Sequence, residues 1–237
     1  MSALIFVRHG ESRWNLVNRF TGWVDVPLSQ QGVEEAMLTA QKLKDVSIHH
    51  AFTSKLVRAQ ETLTIILAGQ QKTGIFLHPG EKKQEWYSCE HHSEETDILT
   101  HTTSLLNERY YGRLQGLNKD TAREQFGADQ VMAWRRGYTA KPPGGESLED
   151  VYKRVIPFFI KRVTPLLKRE RNVIIASHGN TMRVILKYLE KIPSEHLPHL
   201  NLLFGEPMTY AYLDGTFSRL GGPLTFDRPM QWDVVKA

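Results

Sequence analysis

The chain has 237 residues and a mass of 27.2 kDa, which suits one α/β domain with a sizeable core. Apolar residues make up 41% and charged residues 24%, as in ordinary globular proteins, so the composition argues against a disordered chain. The net charge is +4 with a pI near 9.1, but the basic residues are dispersed and accompany no nucleic-acid-binding signature. The charge therefore indicates a small anionic ligand and no nucleic acid.

The N-terminal segment and the cysteine content bear on the compartment. The apolar run from Leu4 to Val7 is too short for a signal-peptide core and meets Arg8 at once. No stretch approaches the ~18 consecutive apolar residues of a membrane span. Cys89 is the only cysteine, so an internal disulfide cannot form. Together these features predict a cytoplasmic protein with no membrane partner.

Strand and helix patterns alternate from the N-terminus. Residues 4–7 form a continuous apolar run, typical of a buried parallel strand. Ser29 can cap a helix, whose predicted apolar stripe is Val33, Ala36, Met37, Ala40 and Leu43. A short strand is predicted over 50–53. The helix after it has a predicted inward face of Leu56, Ala59, Leu63, Ile66 and Leu67.

The second half of the chain repeats this alternation. Ser147 and Asp150 resemble a capping box at the start of a long helix, which Pro157 and Pro165 should kink. The predicted inward residues of this helix are Val151, Val155, Phe158, Phe159, Val163 and Leu166. The run 173–176 has the strongest strand pattern in the sequence, and a further helix is predicted at about 181–189.

This alternation predicts one α/β domain over residues 1–237, with a three-layer architecture in which helices flank a mostly parallel central sheet. The stretch 82–103 is polar and rich in histidine and lacks a clear period, so it is interpreted as an insertion. Residues 105–143 are predicted to cover the ligand crevice, which gives a combined insert and lid of about 82–143. The C-terminal tail, about 215–237, is expected to be mostly loop.

Two histidines directly follow predicted buried strands. His9 stands in RHGES and His178 in SHGNT, and parallel strands place their carboxyl ends at one edge of the sheet. Either motif alone indicates a structural histidine more often than a catalytic one, but two such sites should converge. A neutral imidazole can attack phosphorus. Arg8, Arg58 and a cationic His178 would then stabilise the charge of a phosphoryl group.

Seven segments in order carry a family resemblance: RHGESRWN, FTGWVDVPLS, TSKLVRAQET, LNERYYGRLQGLNK, AWRRGY, GGESL and ASHGNTMR. They resemble the cofactor-dependent phosphoglycerate mutases of the histidine phosphatase superfamily, over about Leu4 to Tyr212. The resemblance implies that His9 is the phosphohistidine and Glu108 the proton donor and acceptor. It also implies that Arg8, Arg58 and His178 hold the transferring phosphoryl group.

The same resemblance implies a substrate site and a reaction. The reaction would interconvert 3-phosphoglycerate and 2-phosphoglycerate in glycolysis and gluconeogenesis, with 2,3-bisphosphoglycerate as phosphoryl primer and no metal. A homodimer is implied at the family level only. The implied substrate-binding positions are Ser12, Asn15, Thr21, Gly22, Tyr111, Lys119, Arg135, Arg136, Gly179 and Asn180.

Several positions depart from the family pattern. Tyr110 stands where a histidine is common and Arg113 where a small residue is common, so we expect an effect on substrate affinity or rate. The connection from Arg136 to Gly144 is short, which puts oligomeric contacts in doubt. The tail has only Lys236 as a basic residue in QWDVVKA, and a lid that closes poorly would admit water and favour hydrolysis.

Three alternatives follow. A histidine phosphatase that acts on bisphosphoglycerate or other phosphate esters would use the same site. A catalytically silent anion-binding protein would keep the fold but not the chemistry. His91, His92 and His101 invite a metal site, but no cysteine partners and no HExxH pattern support one.

Overall fold

A computed structural model of the chain describes residues 1–77, 93, 95–222 and 225–227. The strands are β1 (Ser2–Arg8), β2 (His50–Thr53), β3 (Thr73–Leu77), β4 (Asp97–Thr102), β5 (Val173–Ser177), β6 (Leu200–Asn201), β7 (Pro207–Leu213), β8 (Thr216–Gly221) and β9 (Thr225–Phe226). The α-helices are α1 (Arg13–Leu16), α2 (Gln30–Lys42), α3 (Val57–Gly69), α4 (Lys119–Phe126), α5 (Ala128–Arg136), α6 (Leu148–Phe158), α7 (Thr164–Lys168) and α8 (Gly179–Glu190). Short 3₁₀ turns lie at Ser104–Leu106, Gly112–Leu114 and Leu197–His199.

Seven strands form the central sheet in the order β3-β4-β2-β5-β1-β7-β8. The first five are parallel to one another, and β7 and β8 join antiparallel at one edge. The predicted mostly parallel sheet is confirmed. Because β1 and β5 are adjacent and parallel, with Arg8 paired to Ser177, the residues that follow both strands meet at one edge.

The sheet is buried on both faces, which accounts for the continuous apolar runs in its central strands. Along β1, Leu4 and Phe6 join a core with α6 and α8, whereas Ile5 and Val7 join a core with α3 on the opposite face. A smaller cluster around Phe20 lies outside both cores, in and near the region predicted to cover the crevice. In addition to Phe20 its buried members are Leu114, Ala122 and Val131. Within the described ranges, no helix is long and apolar enough to cross a membrane.

The helix predicted after Ser29 exists, but its buried face differs from the prediction. Met37 is 54% exposed, and Thr39 is buried in its place. The Thr39 hydroxyl is within hydrogen-bond reach of the carbonyls of Glu35, at 2.8 Å, and Gly205. The predicted stripe was therefore wrong at Met37, because a hydroxyl that finds a carbonyl can be buried while an apolar side chain faces outward.

Two sequence interpretations of irregular structure were also wrong in part. The proposed insertion 82–103 contains β4, which lies between β3 and β2 as an inner strand of the sheet. The C-terminal tail contains β8 and β9 rather than loop alone. Both segments are polar, and their strand geometry depends on the neighbours with which they pair.

The long helix after Ser147 begins with the predicted capping box, since Ser147 and Asp150 exchange hydrogen bonds of 2.9 to 3.1 Å. It does not continue as one α-helix. A π-helical segment at Phe159–Val163 separates α6 from α7, between the two prolines that were expected to kink it. Proline lacks the N–H that an α-helical hydrogen bond requires, which accounts for the break.

Candidate active site

The ring of His9 is held in one tautomer at the end of β1. Its Nδ1 lies 2.6 Å from the carbonyl oxygen of Gly10, so Nδ1 donates a proton to that oxygen and Nε2 keeps its lone pair. The Arg58 Nε lies 3.4 Å from this Nε2. Burial lowers the pKa of His9 well below its usual value, and Arg58 and Arg8 lower it further. His9 is therefore a neutral base with its free nitrogen directed at an arginine.

The loop after His9 requires glycine because it lies against the start of α2. A Cβ added to Gly10 would lie 2.2 Å from the carbonyl oxygen of Gly32, and a Cβ added to Gly32 would lie 2.0 Å from that of Glu11. The Gly10 N–H donates to the Thr62 hydroxyl at 3.1 Å. This close backbone contact fixes the carbonyl that sets the tautomer of His9.

His178 follows β5 and stands at the N-cap position of α8, without a capping hydrogen bond from its side chain. Its ring centroid is 5.0 Å from that of His9, with the planes at 60°. Its Nε2 lies 2.7 Å from the Ser54 hydroxyl, and its buried Nδ1 has no hydrogen-bond partner among the described residues. Burial and then Arg58 lower the pKa of His178 well below its usual value. Without a bound anion His178 is therefore neutral, and the cationic His178 expected for the phosphoryl-bound site stays a prediction.

Two arginines border the histidine pair. The Arg58 side chain is 1% exposed and donates to the carbonyls of Gly22, at 2.7 Å, and Val24, at 3.0 Å. The Arg8 guanidinium lies 3.7 Å from the ring centroid of Phe204, and its Nε is buried with no partner in the described part of the chain. Burial lowers the pKa of both arginines to about 10, so both remain cationic at neutral pH.

Glu108 faces the same cavity from the segment after β4. Its Oε1 accepts hydrogen bonds from the backbone N–H of Arg109 at 2.7 Å and of Asn180 at 3.2 Å. Asn180 belongs to the first turn of α8, where free N–H groups favour an anion. Glu108 thus shares the cavity with His9 and is the only acidic group among the described residues that line it.

The cavity brings together almost all of the predicted residues. Its lining contains seven cationic side chains and one carboxylate. From the predicted sets it includes Arg8, His9, Asn15, Thr21, Gly22, Arg58, Glu108, Tyr111, Lys119, Arg135, Arg136, Gly179 and Asn180. Sequence reasoning missed Arg19, Phe20 and Arg183. Arg183 could have been found, since it lies one helical turn after Asn180 and donates to its Oδ1 at 3.2 Å.

Two predicted residues lie behind the lining. His178 contacts His9 through its ring, as described above. Ser12 is fully buried, caps α1 and donates from its hydroxyl to the Asn15 Oδ1 at 2.8 Å. Ser12 therefore orients Asn15 and does not reach the cavity itself.

Cationic side chains that line the cavity lower the pKa values of their neighbours. Burial, with Arg135 and Arg8, lowers the pKa of Lys119 to about 8. Burial, with Arg136 and Arg8, lowers that of Arg183 to about 9. Like charges are held together here at a cost that a multiply charged anion would offset. The buried Arg8 Nε and Thr21 Oγ1, which lack partners among the described residues, can bind oxygens of such an anion.

The residues that depart from the family pattern are not among those that line the cavity. Tyr110 packs edge-on against Trp23, with ring centroids 5.6 Å apart, and Arg113 is exposed. Their expected effect on affinity or rate stays a prediction. Cys89, His91, His92 and Lys236 lie outside the described residues. His101 stacks on Phe52 with a centroid distance of 5.0 Å.

A histidine pair at the carboxyl edge of a parallel sheet, bordered by arginines and one carboxylate, defines the class of site found in phosphoryl-transfer proteins. The family model described as histidine phosphatase superfamily (branch 1) matches residues 4–92 and 85–216. The chain therefore belongs to the histidine phosphatase superfamily. Within that superfamily it belongs to one family with a group of relatives that are more than 40% identical to it.

Those relatives are 2,3-bisphosphoglycerate-dependent phosphoglycerate mutases. One from Methanosarcina acetivorans is 41% identical over 235 residues, which covers 92% of this chain and 95% of the relative. One from Chlamydia caviae is 42% identical and covers 94% of this chain and all of the relative. One from Gloeothece citriformis is 44% identical, over 89% of this chain and 94% of the relative.

Solved structures share the fold at lower identity. Mycobacterial hydrolase 1 has a TM-score of 0.74 at 21% identity, over 93% of this chain and 98% of that protein. A mycobacterial glucosyl-3-phosphoglycerate phosphatase, in complex with VO3, has a TM-score of 0.72 at 23% identity, over 92% of this chain and 97% of that protein. Likeness at this level supports the fold alone.

Proposed function

We propose that this chain is a phosphoglycerate mutase that interconverts 3-phosphoglycerate and 2-phosphoglycerate through a phosphohistidine on His9. The observation that carries the proposal is the His9 ring, whose Nε2 lone pair is fixed by the Nδ1 contact with Gly10 and faces a cavity of seven cations. Relatives at 41 to 44% identity are named as mutases of this kind. Bound 2,3-bisphosphoglycerate would supply the phosphoryl group that loads His9.

His9 acts as the nucleophile. Its Nε2 forms a bond to a phosphorus of 2,3-bisphosphoglycerate while that ester P–O bond breaks. The phosphohistidine then passes this group to the free hydroxyl of the monophosphate, with breakage of the Nε2–P bond, and the ring recovers a phosphoryl group from the other oxygen of the reoriented bisphosphate. A neutral ring is required for the attack, and burial beside two arginines keeps His9 neutral.

Arg8, Arg58 and His178 stabilise the phosphoryl oxygens during transfer. Arg58 is held by two backbone carbonyls and approaches the His9 Nε2, so its guanidinium is preorganised for the developing charge. His178 is neutral, so it contributes a hydrogen bond from one ring nitrogen. An anionic phosphoryl group between the two rings would raise the pKa of His178 and strengthen that bond.

Glu108 transfers the proton. The glycerate hydroxyl must lose a proton when it takes the phosphoryl group, and the leaving alkoxide must gain one in the reverse direction. Glu108 is the carboxylate that faces the cavity, and two backbone N–H groups hold its Oε1. Its second oxygen can face the substrate.

The remaining cations support transfer over simple hydrolysis. Lys119, Arg135 and Arg136 lie in α4 and α5 and line the same cavity as Arg8 and His9. A phosphatase needs to hold one phosphate, whereas a mutase must hold a second anionic end while the substrate reorients. The cytoplasmic location and the homodimer stay predictions of the sequence and of the family resemblance.

One assay tests this function. The purified chain is incubated with 3-phosphoglycerate, with and without 2,3-bisphosphoglycerate, while 2-phosphoglycerate and free phosphate are followed. We expect isomer formation that depends on the bisphosphate, together with an acid-labile phosphoryl group on the protein. His9→Ala should lose both, and a His196→Ala control should keep both. Phosphate release without isomer formation would identify a phosphatase, and binding without turnover a silent anion-binding protein.

A further inference from the structure

The segment that carries Glu108 is held by a side chain from another element. Arg154 lies in α6 and donates to three carbonyls of this segment. The distances are 2.7 Å to Leu105 O and 3.0 Å each to Asn107 O and Glu108 O. The Arg154 guanidinium thus holds the backbone that precedes Glu108 and the carbonyl of Glu108 itself.

Glu146 binds both that guanidinium and the far side of the same segment. The Arg154 Nε donates to Glu146 Oε1 at 2.9 Å and Nη2 to Oε2 at 3.1 Å, which is a two-point pairing of guanidinium and carboxylate. The Tyr110 N–H donates to Glu146 Oε2 at 2.9 Å, and the Glu146 N–H donates to the Tyr110 carbonyl at 2.8 Å. The pair therefore holds the chain on both sides of Glu108.

This support matters because the segment has no regular structure of its own. Residues 107–111 lie between two 3₁₀ turns and outside any strand or helix, so their backbone groups depend on other partners. Arg154, by contrast, projects from a helix whose first turn is closed by the Ser147 and Asp150 capping box. The backbone that carries the Glu108 carboxylate is thus held by a rigid helix.

We propose that Arg154 and Glu146 are positioning residues for proton transfer by Glu108. The inference rests on the proposed function, in which Glu108 exchanges a proton with the substrate hydroxyl. Neither residue lines the cavity, and both hold the backbone around Glu108. The charge of Arg154 also lowers the pKa of His178, an effect that would persist in a Glu108→Gln background. Proton transfer needs the carboxylate within hydrogen-bond reach of the hydroxyl, and loss of the clamp would let it move out of that range.

A double-mutant cycle on the intact chain tests the proposal with 3-phosphoglycerate and 2,3-bisphosphoglycerate. Arg154→Met should lower kcat about tenfold or more, up to the ~10²- to 10⁴-fold that acid-base catalysis contributes, and change KM less than about threefold. In a Glu108→Gln background the same substitution should lower kcat less than about twofold, because the group that it positions is already lost. Arg154→Lys should restore only part of kcat, since an ammonium cannot reproduce the planar fork.

A matched control lies one residue away. Lys153 pairs with Glu149 at 3.2 Å on the exposed side of the same helix, so Lys153→Met removes a cation and an ion pair without touching the Glu108 segment. We expect its kcat to equal that of the wild type. Glu146→Gln, which weakens the pair but leaves an acceptor for Tyr110, should lower kcat several-fold and serves if Arg154→Met does not fold.

Three results would overturn the inference. The first is a loss of kcat from Arg154→Met that is as large in the Glu108→Gln background as in the wild type. The second is an effect of Arg154→Met on KM alone, and the third is a loss of kcat in Lys153→Met equal to that in Arg154→Met. Any of them would leave the proposed function intact. A wild-type protein that forms no isomer would instead remove the proposed function and this inference together, so the two failures are distinguishable.

Discussion

His9 and His178, which are far apart in the sequence, lie with their ring centroids 5.0 Å apart at the ends of two adjacent parallel strands. Burial and the charge of Arg58 keep both rings neutral by lowering their pKa values. The pair thus combines a free nucleophilic nitrogen with a hydrogen-bonding partner in a cationic setting.

Arg58→Met should raise the pKa of His9, because the cation that opposes its protonation is removed. The protonated ring cannot attack, so the acidic limb of the profile of kcat/KM against pH should move to higher pH. The maximum of kcat/KM should also fall by about 10²- to 10³-fold, as for loss of a preorganised donor. Arg13→Met, an exposed position in α1, is the control. An unchanged acidic limb would show that Arg58 does not set the His9 pKa.

Gly10→Ala should destabilise the fold and reduce activity, because the new methyl group would lie 2.2 Å from the Gly32 carbonyl oxygen. Overpacking of this kind costs about 1 to 3 kcal/mol. The free energy of unfolding, measured by urea titration, should drop accordingly. At Gly221, where nothing lies within 4 Å of an added Cβ, the same substitution should change it by less than about 0.5 kcal/mol. Equal effects at the two positions would contradict this account of the loop.

Deprotonation of Lys119 should weaken substrate capture at alkaline pH. Burial and neighbouring arginines lower the pKa of Lys119 to about 8, so it loses its charge above that pH. We expect kcat/KM, which reports the free enzyme, to fall above about pH 8. Lys119→Arg should keep its charge and flatten this fall, even where its absolute kcat/KM is lower. A fall that persists unchanged in Lys119→Arg would assign it to another group.

His101 should contribute to acid destabilisation. Burial, then Arg162 and His50, lower its pKa to about 4 in the folded chain, against 6.5 when unfolded. Between these values the unfolded state binds more protons, so stability falls as pH drops from 6.5 towards 4. His101→Gln should flatten that part of the curve by at most about 1.4 kcal/mol per pH unit, and by less because the ring is partly exposed.

Urea unfolding at several pH values between 4 and 7 measures this slope. His9 and His178 remain in the variant, so some slope should persist. His196→Gln removes a histidine outside the stack on Phe52 and serves as the control. A slope in His101→Gln equal to that of the wild type would contradict the assignment.

The sequence predicted most of the strands and helices whose apolar residues are buried in the two main cores, but not β7, whose Met208, Tyr210 and Tyr212 join one of them. The runs at 4–7 and 173–176 lie in β1 and β5, and the capping box at Ser147 begins α6. It missed β3 and did not recognise β4, because half-exposed and polar side chains in these strands give no clear period. It placed Met37 in the core and overlooked Thr39 for a different reason, since a stripe of apolar residues leaves out a hydroxyl that pairs with a carbonyl.

The local patterns of the sequence by themselves determined that His9, Arg58 and His178 stand at strand and helix ends, and the family resemblance added Glu108 to this predicted site. Only the tertiary structure decided how these groups act. The neutral state of His178, the indirect role of Ser12 and the hold of Arg154 on the Glu108 segment all depend on burial and on contacts between distant segments. A local pattern specifies where the backbone turns, but charge state and orientation follow from what the folded chain packs around each side chain.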